Sequence, residues 1–313
     1  MRITIIDRIH PALEEMLSAA GHQCSAALGQ EGEELVRSLH GAQGIVVRSS
    51  LLKASMLERL DQLRFIGRVG SGLENIDREY CEARGIKVFN SPEGNRDGVG
   101  EMCVLFCLAL MKHVMRANDQ VKRGIWLREE NRGTDLQGKT IGIIGFGNMG
   151  SSFAQKLSGF DVRILAHDKF KKGFGTSPVQ EIDLDTLLSE SEVISLHLPL
   201  NEETRYFANE EFFDRIKKPA YLINTSRGAI VHTEALLNAI DNGKIIGAGL
   251  DVLEFEREDL SGLDPAMAPA VQERLFNHDR ILLTPHIAGV THEGARKMAV
   301  VLAEKIIDAF NNK

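Results

Sequence analysis

Short apolar runs alternate with amphipathic segments through the first part of the chain. Residues 3–6 predict a strand, and residues 11–20 a helix with Pro11 in its first turn and Gly21 at its end. Residues 44–47 and 65–69 predict further strands, with a helical stretch at 53–60 between them, and residues 86–89 close the series. Strands alternating with helices indicate a parallel α/β sheet. Residues 91–100, SPEGNRDGVG, are rich in turn formers and predict a loop or linker. A long helical run follows over about 99–123, apolar through Met111 and polar afterwards, as expected of a helix crossing from one domain to the next. Trp126, the only tryptophan, is either an interface anchor or a core or loop-packing residue.

The alternation then resumes with more specific punctuation. An apolar run at 141–144 ends in Gly145-Phe146-Gly147-Asn148-Met149-Gly150, a helical segment follows, and a second apolar run at 162–166 is closed by Asp168. Strand, glycine turn, helix, strand and acid in that order are the parts that hold a dinucleotide. Gly145 permits the turn, Gly147 lets the backbone approach a pyrophosphate, and Gly150 lets helix and strand pack closely. The helix N-terminus supplies N–H donors to the phosphates. Asp168 is placed to accept ribose hydroxyls, which favours NAD over NADP, while Lys169, Lys171 and Lys172 weaken that preference.

Downstream, polar or ionisable residues recur at the ends of predicted strands. Residues 192–196 run into His197-Leu198-Pro199, and 221–223 into Asn224-Thr225-Ser226-Arg227-Gly228. Residues 245–250 run into Asp251, and 281–283 into Thr284-Pro285-His286. That is the edge at which open parallel sheets bind ligands. In the first domain Gly70-Ser71-Gly72 follows a strand directly. Such a turn can hold an anion through its backbone N–H groups, or it can be a turn with no ligand. Residues 255–278, with Pro265 and Pro269, read as a long surface loop, and residues 291–310 as an amphipathic helix returning to the first domain.

Composition narrows the class without changing this picture. With 313 residues the chain can form two domains, and 43% hydrophobic with 26% charged residues is a globular balance. A net charge of −7 argues against nucleic acid or an anionic membrane as main partner, though not against a local basic pocket. No apolar run reaches the roughly 18 residues of a membrane span. The N-terminus reads as a strand rather than a signal peptide, so a cytoplasmic location is expected. Cys24, Cys81, Cys103 and Cys107 show no metal-ligand spacing, and Cys103 and Cys107 share a helix face without a third ligand. They read as buried small hydrophobes, and no metal is expected.

Hydride chemistry needs a group to move a proton and a group to hold an anionic substrate. Histidine is the residue type suited to proton transfer near neutral pH, so His286 could take or give the proton, Glu256 could pair with it and favour its imidazolium, and Arg227 could fork onto a carboxylate. Each has a plainer reading. A strand-end histidine is often just hydrogen bonded, Glu256 lies in an acidic run with Glu254, Glu258 and Asp259, and Arg227 could cap a helix.

At these residues the chain resembles the D-isomer-specific 2-hydroxyacid dehydrogenases, particularly their phosphoglycerate dehydrogenase branch. The matching stretches are VVRSS at 46–50, GRVGSGLENID at 67–77 and EGNRDGVGE at 93–101, then GFGNMG, and HLPL at 197–200. They continue with NTSRGAIV at 224–231, GAGLDVLEFE at 247–256 and TPHIAG at 284–289. The resemblance implies that Arg227, Glu256 and His286 are the family's catalytic residues. It implies a cofactor site of Gly145, Gly147, Asn148, Met149, Gly150, Asp168, His197, Leu198, Pro199, Thr204, Thr225, Ser226, Asp251 and Gly289, with Asp251 at the nicotinamide carboxamide. Arg48, Ser71 and Gly72, together with Arg227 and His286, would bind substrate.

The fold implied is α/β, with two doubly wound parallel-sheet domains. A Rossmann NAD-binding domain, residues 95–284, is inserted into a smaller flavodoxin-like substrate domain, residues 1–94 and 285–313. A homodimer built on the helix after Gly98 is also implied. Three departures stand out. Arg257 replaces the proline that usually follows the glutamate, the stretch 257–277 is longer than usual, and the sequence ends at Lys313, so serine feedback through a C-terminal regulatory domain is not expected. The expected activity is NAD-dependent oxidation of D-3-phosphoglycerate in serine biosynthesis, where Arg48, Arg68 and Arg96 could supply charge for the phosphate. Reduction of hydroxypyruvate or glyoxylate is the alternative. A rival of another class is an NAD(H)-sensing protein like the family's corepressors, against which the lack of a long disordered tail speaks.

Overall fold

The structure, a computed structural model, describes residues 1–257 and 261–311. Glu258 and Asp259 of the acidic run, and Lys313, lie outside the described residues. The chain divides into two compact units, residues 1–96 with 257–262 and 290–313, and residues 97–256 with 263–289.

The first unit is a five-stranded parallel sheet of β1 (Arg2–Ile5), β2 (Gln23–Ala26), β3 (Gly44–Val47), β4 (Phe65–Arg68) and β5 (Lys87–Asn90), in the order β2-β1-β3-β4-β5. Helices α1 (Ala12–Ala19), α2 (Gly32–Leu39), α3 (Ala54–Leu57) and α4 (Arg78–Ala83) connect the strands. The strand period of two sends alternate side chains to opposite faces. Ile45, Val47 and Ile66 pack on one face with Leu35 and Leu39 of α2, Leu57 of α3 and Cys81 of α4. Val46 and Phe65 pack on the other with Leu13 and Leu17 of α1 and with Met298, Leu302 and Ile306 of the last helix, α12 (His292–Asn311). β3 is buried over all four residues, which is why its sequence GIVV has no polar position.

The second unit is a seven-stranded parallel sheet. Its strands are β6 (Thr140–Ile144), β7 (Arg163–His167), β8 (Val179–Glu181), β9 (Val193–Leu196), β10 (Ala220–Asn224), β11 (Ile245–Leu250) and β12 (Ile281–Leu283), ordered β12-β11-β10-β9-β6-β7-β8. The order reverses between β6 and β9, which makes the space beyond their C-terminal ends the ligand position of a doubly wound sheet. One face is covered by α8 (Leu184–Glu190), α9 (Glu210–Asp214), α10 (Thr233–Asp241) and α11 (Pro269–Phe276). The other is covered by α5 (Pro92–Met111) and α7 (Asn148–Lys156).

Three segments differ from the sequence reading. The expected linker at 91–100 is helical, because its glycines serve close packing. A Cβ on Gly94 would stand 2.4 Å from the backbone nitrogen of Met298, and one on Gly100 2.8 Å from Ser152 Oγ. The expected single helix over 99–123 is broken. His113 takes a left-handed φ of 52°, and α5 and α6 (Val114–Lys122) meet at 61°. The backbone N–H of Thr134 donates to Met111 O at 2.8 Å and satisfies one of the carbonyls left over at the end of α5. The stretch 255–278 contains α11, with Pro269 as its first residue, where a missing N–H costs nothing.

The return to the first unit comes at Val290 rather than at residue 285. Residues 286–288 are hydrogen bonded to Asp251, and this holds them to the second unit. Among the described residues no single helix is long and apolar enough to cross a membrane. Only the bent pair α5–α6 passes that test jointly, and α5 is packed into the second unit's core through Cys103, Phe106 and Cys107.

Candidate active site

The glycine turn after β6 has the geometry its sequence requires. Gly145 has φ 92°, and a Cβ there would stand 2.3 Å from the carbonyl oxygen of His197, so the turn leaves β6 against the end of β9. A Cβ on Gly150 would stand 2.1 Å from Gly145 O, which makes the close approach of α7 to the turn depend on glycine. No atom lies within 4 Å of where a Cβ of Gly147 would be. Gly147 is the N-cap of α7 and offers no side chain, so the first-turn N–H groups, including those of Asn148 and Met149, have no side-chain acceptor. An open, uncapped helix N-terminus at the switch point of the sheet fits a pyrophosphate.

Asp168 lies just past β7. Its Oδ1 accepts the N–H groups of Phe170 at 2.9 Å and Lys171 at 2.8 Å, and its Oδ2 accepts that of Phe146 at 2.8 Å. Burial pushes its pKa up, but these bonds and the Lys171 charge outweigh burial and hold the carboxyl below its ordinary value. The carboxylate therefore carries the turn, with one acceptor direction on Oδ2 left for a ribose hydroxyl. The three lysines are engaged locally. Lys169 pairs with Glu203, Lys171 Nζ lies 5.5 Å from the centre of the Phe146 ring, and Lys172 donates to Asp168 O at 3.0 Å.

At the end of β9, His197 shares a hydrogen with Ser195 through Nε2 at 2.9 Å, while its Nδ1 is sealed from solvent without a partner. Burial pushes the ring's pKa down to about 4, so it is neutral. Thr204 Oγ1 donates to Pro199 O at 2.6 Å and closes the turn that carries Leu198 and Pro199. Thr225 is buried, with its hydroxyl 3.4 Å from Cys103 Sγ, whose own pKa burial pushes up to about 12.

The three acid–base and anion-binding candidates follow three neighbouring strands. Arg227 comes after β10, Glu256 after β11 and His286 after β12. Glu256 Oε2 lies 2.8 Å from His286 Nδ1, and Glu256 Oε1 accepts the N–H of Leu253 at 2.6 Å, so both carboxylate oxygens are placed. A carboxylate only accepts, so Nδ1 carries a hydrogen, and in the neutral ring Nε2 then has the lone pair. His286 has φ 56°, and its N–H donates to Asp251 O at 2.7 Å.

Asp251 is 1% exposed. Its Oδ1 accepts Thr284 Oγ1–H at 2.5 Å and Ile287 N–H at 2.8 Å, and its Oδ2 accepts Ala288 N–H at 2.8 Å. The side chain expected at a carboxamide is thus mainly engaged in holding the turn that carries His286. Gly289 ends that turn. Sequence reasoning assigned no role to the side chain of Asn224. Fully buried, it accepts from Ser226 N–H and Oγ–H and donates to Arg227 O at 2.9 Å, which shapes the arginine's turn. Asn-x-Ser after a strand is an Asx-turn pattern and could have revealed this role. A Cβ on Gly228 would stand 1.9 Å from Leu253 O, so the arginine turn and the glutamate loop are in direct contact.

Within the first unit, Arg48 is exposed just past β3, and Arg68 ends β4 with its Nε donating to Arg48 O at 3.1 Å. The Gly70–Gly72 turn is tied by Gly70 N–H to Ser91 Oγ at 3.1 Å, Ser71 Oγ–H to Asn95 Oδ1 at 2.9 Å and Asn90 Nδ2–H to Ser71 O at 2.6 Å. Arg96 is exposed on α5.

Residues 104–288, more than half of the chain, match the model of the D-isomer specific 2-hydroxyacid dehydrogenase NAD-binding domain. The chain belongs to the D-isomer-specific 2-hydroxyacid dehydrogenases. It is an NAD-dependent oxidoreductase of that family. A hydroxypyruvate reductase of Thermotoga maritima is 37% identical over 88% of this chain and 87% of the relative. A D-3-phosphoglycerate dehydrogenase of Archaeoglobus fulgidus is 32% identical over 98% of this chain, which spans 57% of that relative's length. The crystal structure of a D-lactate dehydrogenase of Aquifex aeolicus with NAD and lactic acid has a TM-score of 0.82 at 29% identity and covers 98% of this chain and 95% of its own.

The neutral His197 gives this dehydrogenase a pH-dependent stability. The folded-state pKa near 4 lies below the ordinary 6.5, so the unfolded chain binds the extra proton first. Its contribution is complete above pH 6.5 and is lost as pH falls from there to about 4, amounting to at most about 3 kcal/mol. Urea unfolding across that range should show this loss in the wild type and a flatter profile in His197→Asn. Parallel profiles would contradict it.

Proposed function

We propose that this dehydrogenase interconverts D-3-phosphoglycerate and its 2-oxo acid. The observation that carries the acid–base part is the Glu256–His286 pair, which leaves His286 Nε2 as the atom for the substrate hydroxyl proton. Bound NAD supplies the hydride acceptor. In oxidation Nε2 takes the hydroxyl proton, and in reduction the imidazolium returns it. Glu256 orients the ring and stabilises its charge, an electrostatic role set in advance by the bond to Leu253. Arg227 is assigned to the substrate carboxylate and the 2-oxo oxygen, and Arg48, Ser71 and Gly72 to anion binding. The side chains of Asn148, Met149, Asp168, His197, Leu198, Pro199, Thr204, Thr225, Ser226 and Asp251 are assigned to the cofactor or to the turns that meet it.

The phosphate is supported by Arg48 and Arg68, linked at the ends of adjacent strands. Hydroxypyruvate or glyoxylate reduction is the second reading, favoured by the relatives named for those activities at 37% and 36% identity. Consumption of NADH with phosphohydroxypyruvate, hydroxypyruvate and glyoxylate decides between them. The first should have the highest kcat/KM, and a higher value for either of the others overturns the assignment. In the same assay His286→Ala should lower kcat by about 10²–10⁴ while NADH binding persists. Wild-type turnover by that variant would remove His286 from the reaction.

We also infer a homodimer and a cytoplasmic setting. Leu105, Val114, Met115, Val121 and Trp126 are each at least half exposed on α5, α6 and the segment after them, with Trp126 at 74%. That exposure sets aside the core role weighed for Trp126. Several large apolar side chains exposed on neighbouring segments of one chain are what a protein interface buries. Light scattering should give a dimer for the wild type and a monomer for the double variant Met115→Asp/Trp126→Asp. A wild-type monomer at micromolar concentration would count against the inference.

A further inference from the structure

Asp7 follows the end of β1, next to the strand that delivers Arg48. Its Oδ2 accepts three successive backbone N–H groups, from Arg48 at 2.6 Å, Ser49 at 2.8 Å and Ser50 at 3.0 Å. Its Oδ1 accepts the Ser50 hydroxyl at 2.5 Å. Consecutive N–H groups converging on one point form an anion-binding nest, and here the chain's own carboxylate fills it. Burial raises the Asp7 pKa, but these four bonds outweigh burial and keep the group below its ordinary value. The carbonyls of the same segment are held as well. Arg48 O accepts Arg68 Nε–H at 3.1 Å, and Ser50 O accepts Asn75 Nδ2–H at 2.8 Å. The backbone of 48–50 is therefore fixed on its donor and its acceptor sides. The Arg48 guanidinium takes part in none of these bonds and is exposed.

We propose that Asp7 is a positioning residue for substrate recognition. By binding the backbone of Arg48, Ser49 and Ser50 it sets where the Arg48 guanidinium stands, and so governs affinity for the anionic substrate without entering the proton or hydride steps. This rests on the assignment of Arg48 to anion binding. Asp7→Asn keeps the size of the side chain and removes the charge that the three donors require. The Ser50→Ala variant removes only the hydroxyl bond.

Steady-state kinetics on the full chain, with NADH and whichever of phosphohydroxypyruvate or hydroxypyruvate is turned over faster, separate the possibilities. Asp7→Asn should raise KM about tenfold, with kcat and NADH affinity changed less than about twofold. Ser50→Ala should raise KM about two- to threefold in the same pattern. In an Arg48→Gln background Asp7→Asn should add no further rise in KM, because both changes remove one function. An Asp7→Asn enzyme with unchanged KM, with a loss confined to kcat, or with an effect fully additive to Arg48→Gln would overturn the proposal. If Asp7→Asn does not fold, Ser50→Ala carries the same test, and an unchanged KM there refutes it. Should Arg48→Gln itself leave KM unchanged, the underlying assignment of Arg48 is the part that fails.

Discussion

The buried carboxylate of Asp251 is the constraint on which the catalytic geometry depends. Its N–H donates to Asn224 O, its own carbonyl accepts the N–H of His286, and its side chain accepts from Thr284, Ile287 and Ala288. The ends of β10, β11 and β12 are thereby joined at one residue. A carboxyl group this deeply buried needs hydrogen bonds on most sides, and leaving such a buried acceptor unsatisfied costs about 1–3 kcal/mol. The strain at His286, with φ 56°, is of the kind that surrounding structure must over-determine. Asp251 supplies that determination and so places the imidazole where Glu256 can reach Nδ1.

The same device recurs at other strand ends. Asp168, past β7, holds the N–H of Phe146 in the turn after β6. Asp7, past β1, holds the segment after β3. Asp251, past β11, holds the turn after β12. In each case an acid beyond one strand binds backbone donors beyond the adjacent strand. Parallel sheets create the need for it, since N–H groups that leave the sheet at its C-terminal edge lose their ladder partners and must be satisfied otherwise. The edge at which such sheets receive ligands is therefore also one where backbone donors need acceptors.

That coincidence explains what was legible in the sequence. Continuous apolar runs marked β11 and β12 with their observed bounds: β11 lies between two parallel strands and tolerates few polar positions, and β12, though an edge strand, carries the apolar run Ile-Leu-Leu. β2, with sequence QCSA at the sheet edge, carries no such run and was not readable. The glycines of 91–100 suggested a loop, because composition does not distinguish a glycine that frees the backbone from one that admits a neighbouring helix at Met298. The break at His113 depends on a carbonyl taken by Thr134, a partner remote in sequence. Arg227, Glu256 and His286 could be named as residue types at strand ends. The contact between Glu256 and His286 depends on the order of β11 and β12 in the sheet, which local pattern does not encode.

A strand-end acid is therefore ambiguous from sequence alone, since it can meet a ligand or hold the loop that does. Asp168 holds the turn after β6 and, in the proposed function, also meets the cofactor. Three backbone donors keep it ionised, and the one remaining acceptor direction on Oδ2 suits a ribose hydroxyl. An ionised carboxylate repels a 2′-phosphate. The lysines that might offset this are already committed, Lys169 to Glu203 and Lys172 to the Asp168 carbonyl, while Lys171 lies over Phe146. Local charge near the second strand thus leaves NAD the better fit, because the acid is fixed by its backbone bonds whereas each lysine would have to give up an existing contact to neutralise a phosphate.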